Sequence, residues 1–387
     1  MSRILFISQN YSTHARRFLA GLVVAGHDVW FLPCETSANE FELRAVPGAV
    51  KLLPPLEQNE SSSGLTAFLD SYTRMHHVLE DVKPDLVLAG PIQTGGFLAA
   101  LVDFHPLLIM SWGCDVLSVQ RKSQWLSSVT KFTLNRADMI LTDCEAVTAA
   151  VCVHGSVPRH RIVCFPWGID IKIFRPDAPA LRLRQRFGWE DCRVIVSARS
   201  FEPMHGTMLF LEAMRQVLDC RSDARVLMLG DGSLRPRVEE FIAERGLRDR
   251  ILVVGRVPEE MLARYFVEAD LYISATQCDG SSVSLLEALG CGLTAIVPDV
   301  GGNKEWIVHG QNGWLYPVAD VDALAVVTTK ALESDIARRK MGLTNVRVVR
   351  ERANWQRNFN KLLAACDRLV SAYPSREILE YAQLQNR

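Results

Sequence analysis

Short apolar runs of strand type recur along the chain, each followed by a segment with helical spacing, and this alternation is the feature that most limits the folds open to it. In the first half the runs fall at residues 4–8, 28–32, 86–89, 107–111, 139–142 and 162–165. In the second half they fall at 194–198, 225–229, 251–254, 271–274, 294–297 and 313–316. Runs dominated by Val, Ile and Leu, without strict polar alternation, belong to strands buried on both faces, as in parallel sheets covered by crossover helices. The helix ends are legible in places: Ser12 or Thr13 can cap a helix through residues 22–25, and Gly26 ends it before the second run. Between the two sets, FPWGIDIKIFRPDAPALR at 165–182 carries Pro166, Gly168, Pro176 and Pro179, which interrupt both periodicities and mark a linker. The expectation is an α/β chain of two doubly wound domains, 1–174 and 175–369, with a tail helix at about 370–387 packing back on the first. Such sheets bind ligands at the carboxyl ends of their strands, so the cleft between the domains is the expected active site.

Composition narrows the function. In 387 residues, 43 basic side chains stand against 44 acidic ones for a formal net charge of −1, so the basic excess of a nucleic-acid binder is missing and no nucleic-acid partner is expected. The 10 cysteines are scattered and no two are spaced C-x-x-C, which reads as unpaired thiols in a reducing compartment. The start, MSRILFISQNYS, enters a strand at once with neither a charged leader nor a cleavage site. The longest apolar stretch, 97–110, is broken by Asp103, His105 and Pro106. A cytoplasmic protein is expected. Ser61, Ser62 and Ser63 read as a loop. The stretch from about 335, with Arg338, Arg339, Lys340, Arg347, Arg350 and Arg352, has helical spacing and two readings: a solvated helix face, or a weak peripheral contact with the inner face of an anionic membrane.

Chemistry concentrates between residues 273 and 317. A strand ends there, Asp279 follows, and a helix begins around Ser282, Val283 and Ser284 with Glu287 one turn in. A helix start offers backbone N–H groups and partial positive charge, which suits a diphosphate, and Glu287 can then accept hydrogen bonds from a ribose diol. Gly301 and Gly302, after the next strand, allow the backbone to approach a ligand.

Asp279 and Glu287, followed by Ala288, Leu289, Gly290, Cys291 and Gly292, then Gly301, Gly302 and Glu305, then His309, Gly310, Asn312 and Gly313, resemble the carboxyl-terminal signature of the family 4 (group 1) retaining glycosyltransferases. The resemblance extends through Gly230, Asp231 and Gly232, through Gly255, Arg256, Val257 and Pro258, to Arg199 and to the linker Pro166, Trp167, Gly168, Ile169 and Asp170. In the first half it rests on Gly26, His27, Asp28 and Val29 and on Trp112, Gly113, Cys114 and Asp115. It implies a GT-B fold, two Rossmann-like domains facing across a cleft. It also implies transfer of a sugar from a nucleoside-diphosphate sugar, UDP-linked first of all, to a glycan, lipid-linked or small-molecule hydroxyl, with retention and without metal or cofactor. Departure of the nucleotide builds negative charge on the leaving phosphate, which a metal-free enzyme must offset with its own positive groups. By the resemblance, Arg199, His205 and the helix start around Gly280, Ser282, Val283 and Ser284 face the diphosphate. Glu287 then takes the ribose, Arg256 and Val257 the base, Asp279 the sugar hydroxyls, Gly301 and Gly302 the close approach, and Trp112 the reacting sugar.

The chain departs from the family pattern in four places. Asp279 stands where a Glu is usual; His205 with Gly206 replaces a Lys-Gly pair; Trp112 replaces a His; and the loop from Gln9 to His14 lacks paired glycines. A histidine is fully charged only below its ordinary pKa near 6.5, so His205 is expected to clamp phosphate more weakly than a lysine, with Lys304 or Arg256 as candidates to compensate. Plainer readings stand beside these: Arg199 as a salt-bridged surface residue, His205 as a loop histidine, Trp112 as core, Asp115 as a helix cap. Asp320 and Asp322 read as a helix start rather than a metal-binding pair, and His76 with His77 lacks a partner at metal spacing. The alternatives to transfer are a GT-B epimerase and a nucleotide-sugar-binding protein that has lost catalysis.

Overall fold

The computed structural model describes residues 1–35, 42, 44–56, 64–118 and 123–373. The serine loop at 61–63 and the chain beyond 373 lie outside these. The chain forms two compact units, Met1–Phe165 with the chain from Phe359 on, and Pro166–Asn358.

The first unit holds a seven-stranded sheet in the order β3-β2-β1-β4-β5-β6-β7. Its strands are β1 (Arg3–Ser8), β2 (Asp28–Pro33), β3 (Lys51–Leu52), β4 (Leu86–Ala89), β5 (Leu107–Met110), β6 (Met139–Thr142) and β7 (Ile162–Cys164), and all pairings are parallel. Every residue of β4, β5 and β6 is buried, as two-sided helical cover requires. The edge strand β3, two exposed residues, was not legible as an apolar run; Lys51 pairs with Asp28 at 2.8 Å and lies 4.7 Å over the Trp30 ring, a charged edge that discourages further pairing. The helix Thr13–Val24 starts on Ser12, whose hydroxyl accepts from Ala15 N at 3.2 Å.

The second unit holds a six-stranded parallel sheet in the order β10-β9-β8-β11-β12-β13. These are β8 (Arg193–Ala198), β9 (Ala224–Leu229), β10 (Ile251–Gly255), β11 (Leu271–Ile273), β12 (Thr294–Pro298) and β13 (Gly313–Tyr316). The order reverses between β8 and β11, which makes their carboxyl ends the crevice where a doubly wound sheet takes a ligand.

The division between units falls earlier than a hinge near 175 at one crossing and earlier than 369 at the other. The proline-rich segment is built into the second unit. Ile169 N donates to Ala353 O at 2.8 Å, Trp355 N donates to Ile169 O at 3.0 Å, and Phe174 is buried in that unit's core. The helix Trp355–Ala372 joins the first unit from Phe359, whose ring packs against Phe18 at 6.1 Å and fills the space over Gly21.

The helix Asp335–Arg352 is seated by two small features. Gly342 lies so close to the turn after the helix Val283–Gly290 that a Cβ there would stand 2.0 Å from Gly292 O. One turn on, the fully buried Asn345 donates to Leu293 O and Asn312 O, each at 2.9 Å, and accepts from Asn312 Nδ2 at 2.8 Å. Alanine at a helical glycine gains about 1 kcal/mol of intrinsic propensity. Here it drives a methyl into a backbone carbonyl, and overpacking of about 1–3 kcal/mol or more outweighs the gain. Gly342→Ala is expected to lower the melting temperature by several degrees in a thermal denaturation scan; an unchanged or raised value would refute this packing.

Candidate functional site

Arg199 follows β8 directly, and the backbone around it is packed through glycines. Gly230, after β9, approaches Arg199 O so closely that a Cβ would lie 2.0 Å from it. Gly206, at φ +65, does the same against Ala275 O just after β11, again at 2.0 Å. It ends the short 3-10 turn Pro203–His205 and holds that turn against the segment after β11, where Gln277 N donates to Met204 O at 3.0 Å. Neither contact admits a side chain.

These contacts surround the Arg199 guanidinium with acceptors. Nη1 donates to Ser282 Oγ at 2.8 Å and Ser284 Oγ at 3.2 Å. Nη2 donates to His205 Nδ1 at 2.9 Å and lies 2.9 Å from Asp279 Oδ2. Tyr272, fully buried in β11, holds Ser284 Oγ at 2.9 Å. The Arg199 and Asp279 side chains are only 14% and 16% exposed, so each charge depends on the other: removing one partner of such a pair leaves an uncompensated charge. Burial pushes the Asp279 carboxyl above its ordinary value, opposed by Arg199 and by hydrogen bonds from Ser282 and Gly280 N. Burial, reinforced by Arg199, pushes His205 down to about 3.

The sequence reading took the ordinary pKa near 6.5 for His205; burial and Arg199 both move the ring below it, away from the charged form. Lys304 does not replace it as a free cation, because it pairs with Asp299 at 2.8 Å on the surface.

Arg199, His205, Asp279, Gly280, Ser282 and Ser284 thus come together. Gly302 joins them through its N–H to Asp279 O at 3.3 Å, and Gly301 beside it has φ +45. Val283 opens the helix Val283–Gly290 and packs on the core, and Glu287, buried at 6% exposure, lies one turn further along. Arg256 and Val257 follow β10 on the same edge of the sheet, two strands from β8. Tyr272 and Ser281, whose hydroxyl accepts from Trp306 Nε1 at 3.0 Å, were missed from sequence. The one available signal for Tyr272 was a phenol inside a buried strand, which needs a partner for its hydroxyl.

Trp112 belongs to the first unit, at the carboxyl end of β5, half-buried, with its ring 5.6 Å from that of His14 at the start of the helix Thr13–Val24. Asp115 is more than a helix cap. Its carboxylate accepts from Ser111 Oγ at 2.7 Å and from Trp112 N and Ile92 N at 3.1 Å each, tying together the loops after β4 and β5. Asp320 does cap its helix, accepting from Ala323 N at 2.8 Å. Among the described residues no three His, Cys, Asp or Glu side chains are grouped to hold a metal.

Residues 181–347 match the family model for glycosyl transferases group 1, and residues 3–144 match that for glycosyl transferase 4-like proteins. The structure is similar to sucrose-phosphate synthase from Thermosynechococcus elongatus, with a TM-score of 0.81 at 17% identity over 96% of this chain and 100% of that one. It is also similar to HepE of Anabaena, solved with UDP and glucose, with a TM-score of 0.78 at 18% identity over 95% of this chain and 100% of that one. These likenesses establish the fold, which is GT-B. The chain belongs to the group 1 glycosyltransferases. In sequence it is 25% identical over 224 residues to the lipopolysaccharide core biosynthesis mannosyltransferase LpsB of Rhizobium meliloti, 56% of this chain and 60% of the relative. The chain spans about half the length of the curated relatives it matches.

The lowered pKa of His205 has a thermodynamic consequence. Between about pH 6.5 and 3 the unfolded chain binds a proton at this position that the folded one refuses. The resulting stability is fully present above 6.5 and is lost as pH falls, by up to about 1.4 kcal/mol per pH unit. The melting temperature of the wild type is expected to fall more steeply between pH 7 and pH 5 than that of His205→Asn; parallel curves would show that the ring titrates as in the unfolded chain.

Proposed function

We propose that the chain is a retaining glycosyltransferase that moves a sugar from a nucleoside-diphosphate sugar, UDP-linked first of all, to a hydroxyl of a glycan, lipid-linked or small-molecule acceptor. The observation that carries this reading is the convergence of Arg199, Asp279, Ser282 and Ser284 on the start of the helix Val283–Gly290, at the strand ends where the sheet order reverses. A diphosphate laid there meets a guanidinium and a helix N-terminus, which offset charge as the nucleotide leaves and make a metal ion unnecessary. In this reading Asp279 meets hydroxyls of the donor sugar, Glu287 the ribose, and Arg256 with Val257 the base. Gly280, Gly301 and Gly302 let the backbone close on the donor, and Trp112 offers an indole face to a sugar. The UDP and glucose complex of HepE and the mannosyltransferase LpsB support a nucleotide-sugar donor. Cytoplasmic placement follows the sequence reading, and no helix among the described residues is long and apolar enough to cross a membrane.

Thermal-shift measurements against UDP-, GDP-, ADP- and dTDP-sugars test the donor, since a ligand bound to the folded state raises its apparent stability. At least one is expected to raise the melting temperature of the wild type and not that of Arg199→Ala. With that donor and an acceptor panel, Arg199→Ala is expected to lower kcat/KM by about 10²–10³, the usual effect of removing one preorganised donor to developing charge. Rates within a few-fold of the wild type would remove Arg199 from the site. An altered sugar formed from donor alone would identify the epimerase, and binding without turnover the degenerate protein.

A weak peripheral membrane contact is part of the same reading. On the helix Asp335–Arg352 the exposed face carries Ile336 and Leu343, 83% and 75% exposed, among Arg339, Lys340, Arg347 and Arg350. None of these four cations makes an ion pair among the described residues, whereas Arg215 and Arg235 on other helices are met by carboxylates. Each basic side chain near an anionic surface contributes about 1 kcal/mol, so adhesion is expected at low salt and release at high salt. Co-sedimentation with phosphatidylserine vesicles checks it: Arg347→Glu combined with Arg350→Glu is expected to abolish sedimentation, and no sedimentation of the wild type at low salt would refute the contact.

A further inference from the structure

We infer that His205 is a positioning residue, a neutral acceptor that fixes the Arg199 guanidinium, and that it adds no charge of its own to the positive pole that Arg199 and the start of the helix Val283–Gly290 offer the diphosphate. This deepens the donor-site reading above and rests on it. The argument begins with the donor inventory. An arginine side chain can only donate, so a nitrogen 2.9 Å from its Nη2 must present a lone pair. His205 Nδ1 is therefore unprotonated and the ring proton sits on Nε2. Protonating Nδ1 would set two N–H groups against each other and a second cation against the first, so the ring can charge only by leaving Arg199.

The surroundings point the same way. The groups gathered there are Arg199 from the end of β8, Asp279 from the loop after β11 and Tyr272 from β11 itself. Glu202, in the histidine's own turn, is spent on Ser233, accepting from its N at 2.8 Å and its Oγ at 2.5 Å. Of these charges Arg199 alone acts on the ring, and it opposes protonation, as burial does. Asp279 lies on the same Nη2 and serves the guanidinium. His205 and the two serines take three more of the guanidinium N–H directions, so its plane is set from the turn Pro203–His205 and the start of the helix together. A positioning residue of this kind acts through orientation, and misplacing a charged group by about 1 Å is enough to lose about a hundredfold in rate.

The test uses the full chain. Long-range ¹H–¹⁵N spectra of the histidine side chains, with the His205 signals assigned by their loss in His205→Asn, are expected to show a neutral Nε2–H tautomer at pH 7 that persists to pH 5.5. An Nδ1–H tautomer, or titration near 6.5, would overturn the inference. Calorimetric titration with UDP and with GDP supplies the second readout. In His205→Asn the amide oxygen can take the place of Nδ1, so this variant is expected to keep the affinity of whichever diphosphate binds within about threefold, whereas His205→Lys, a cation without a lone pair for Arg199, loses tenfold or more. Equal or tighter binding by His205→Lys would show that the position acts by charge and overturn the inference. If neither diphosphate binds the wild type, the donor reading loses its support while the spectra still decide the state of His205.

Discussion

The second unit is organised around a guanidinium that must be satisfied out of bulk water. Arg199 carries donors in a fixed plane and no acceptor, so every group facing it has to bring a lone pair, and the fold brings those groups from separate stretches of chain. Burying such a group without partners is expensive, and leaving it half-paired is worse than replacing it by an apolar side chain. The stability of this corner and its chemistry therefore share one constraint. The same surroundings act on the neighbouring imidazole: burial penalises its charged form, and the Arg199 guanidinium at hydrogen-bond distance repels a second positive charge there.

The first unit solves a complementary problem on the corresponding edge of its own sheet. There the central group is Asp115, an acceptor only, and it collects donors from the loops that follow β4 and β5. Gln93 adds a second tie, its Nε2 donating to Asp115 O at 2.6 Å and to Thr130 Oγ1 at 2.8 Å. Trp112 owes its place to this collection of loops, since its backbone N–H is one of the donors. One unit thus presents an arginine held by acceptors and the other a carboxylate holding donors, each at the carboxyl ends of parallel strands.

Much of this was legible in the sequence because burial on both faces writes itself as apolar runs. Twelve of the strands stand where such runs stand; β3 escaped notice because two exposed residues bury nothing and leave no pattern. Arg199, Asp279 and the helix start were legible as a constellation through their order along the chain. The protonation state of His205 was not, because a pKa is a property of surroundings and the surroundings come from three distant segments. Nor was the partnership of Trp112 with His14, which exists only once β1 and β5 lie in one sheet. The unit boundaries differ from the expected ones for a similar reason: the bonds of Ile169 to the segment around Ala353 and Trp355, invisible along the chain, place residues 166–174 with the second unit.

The glycine at 206 has an implication for how such a site changes over time. Its close approach to Ala275 O fixes where residue 205 stands, whatever that residue is, because the address is set by backbone alone. A substitution at 205 exchanges the function of the group without moving it, so a lysine and a histidine are alternatives within one socket. The electrostatics of the corner can therefore be rewritten by changing a single codon, provided the codon for the glycine beside it is left alone.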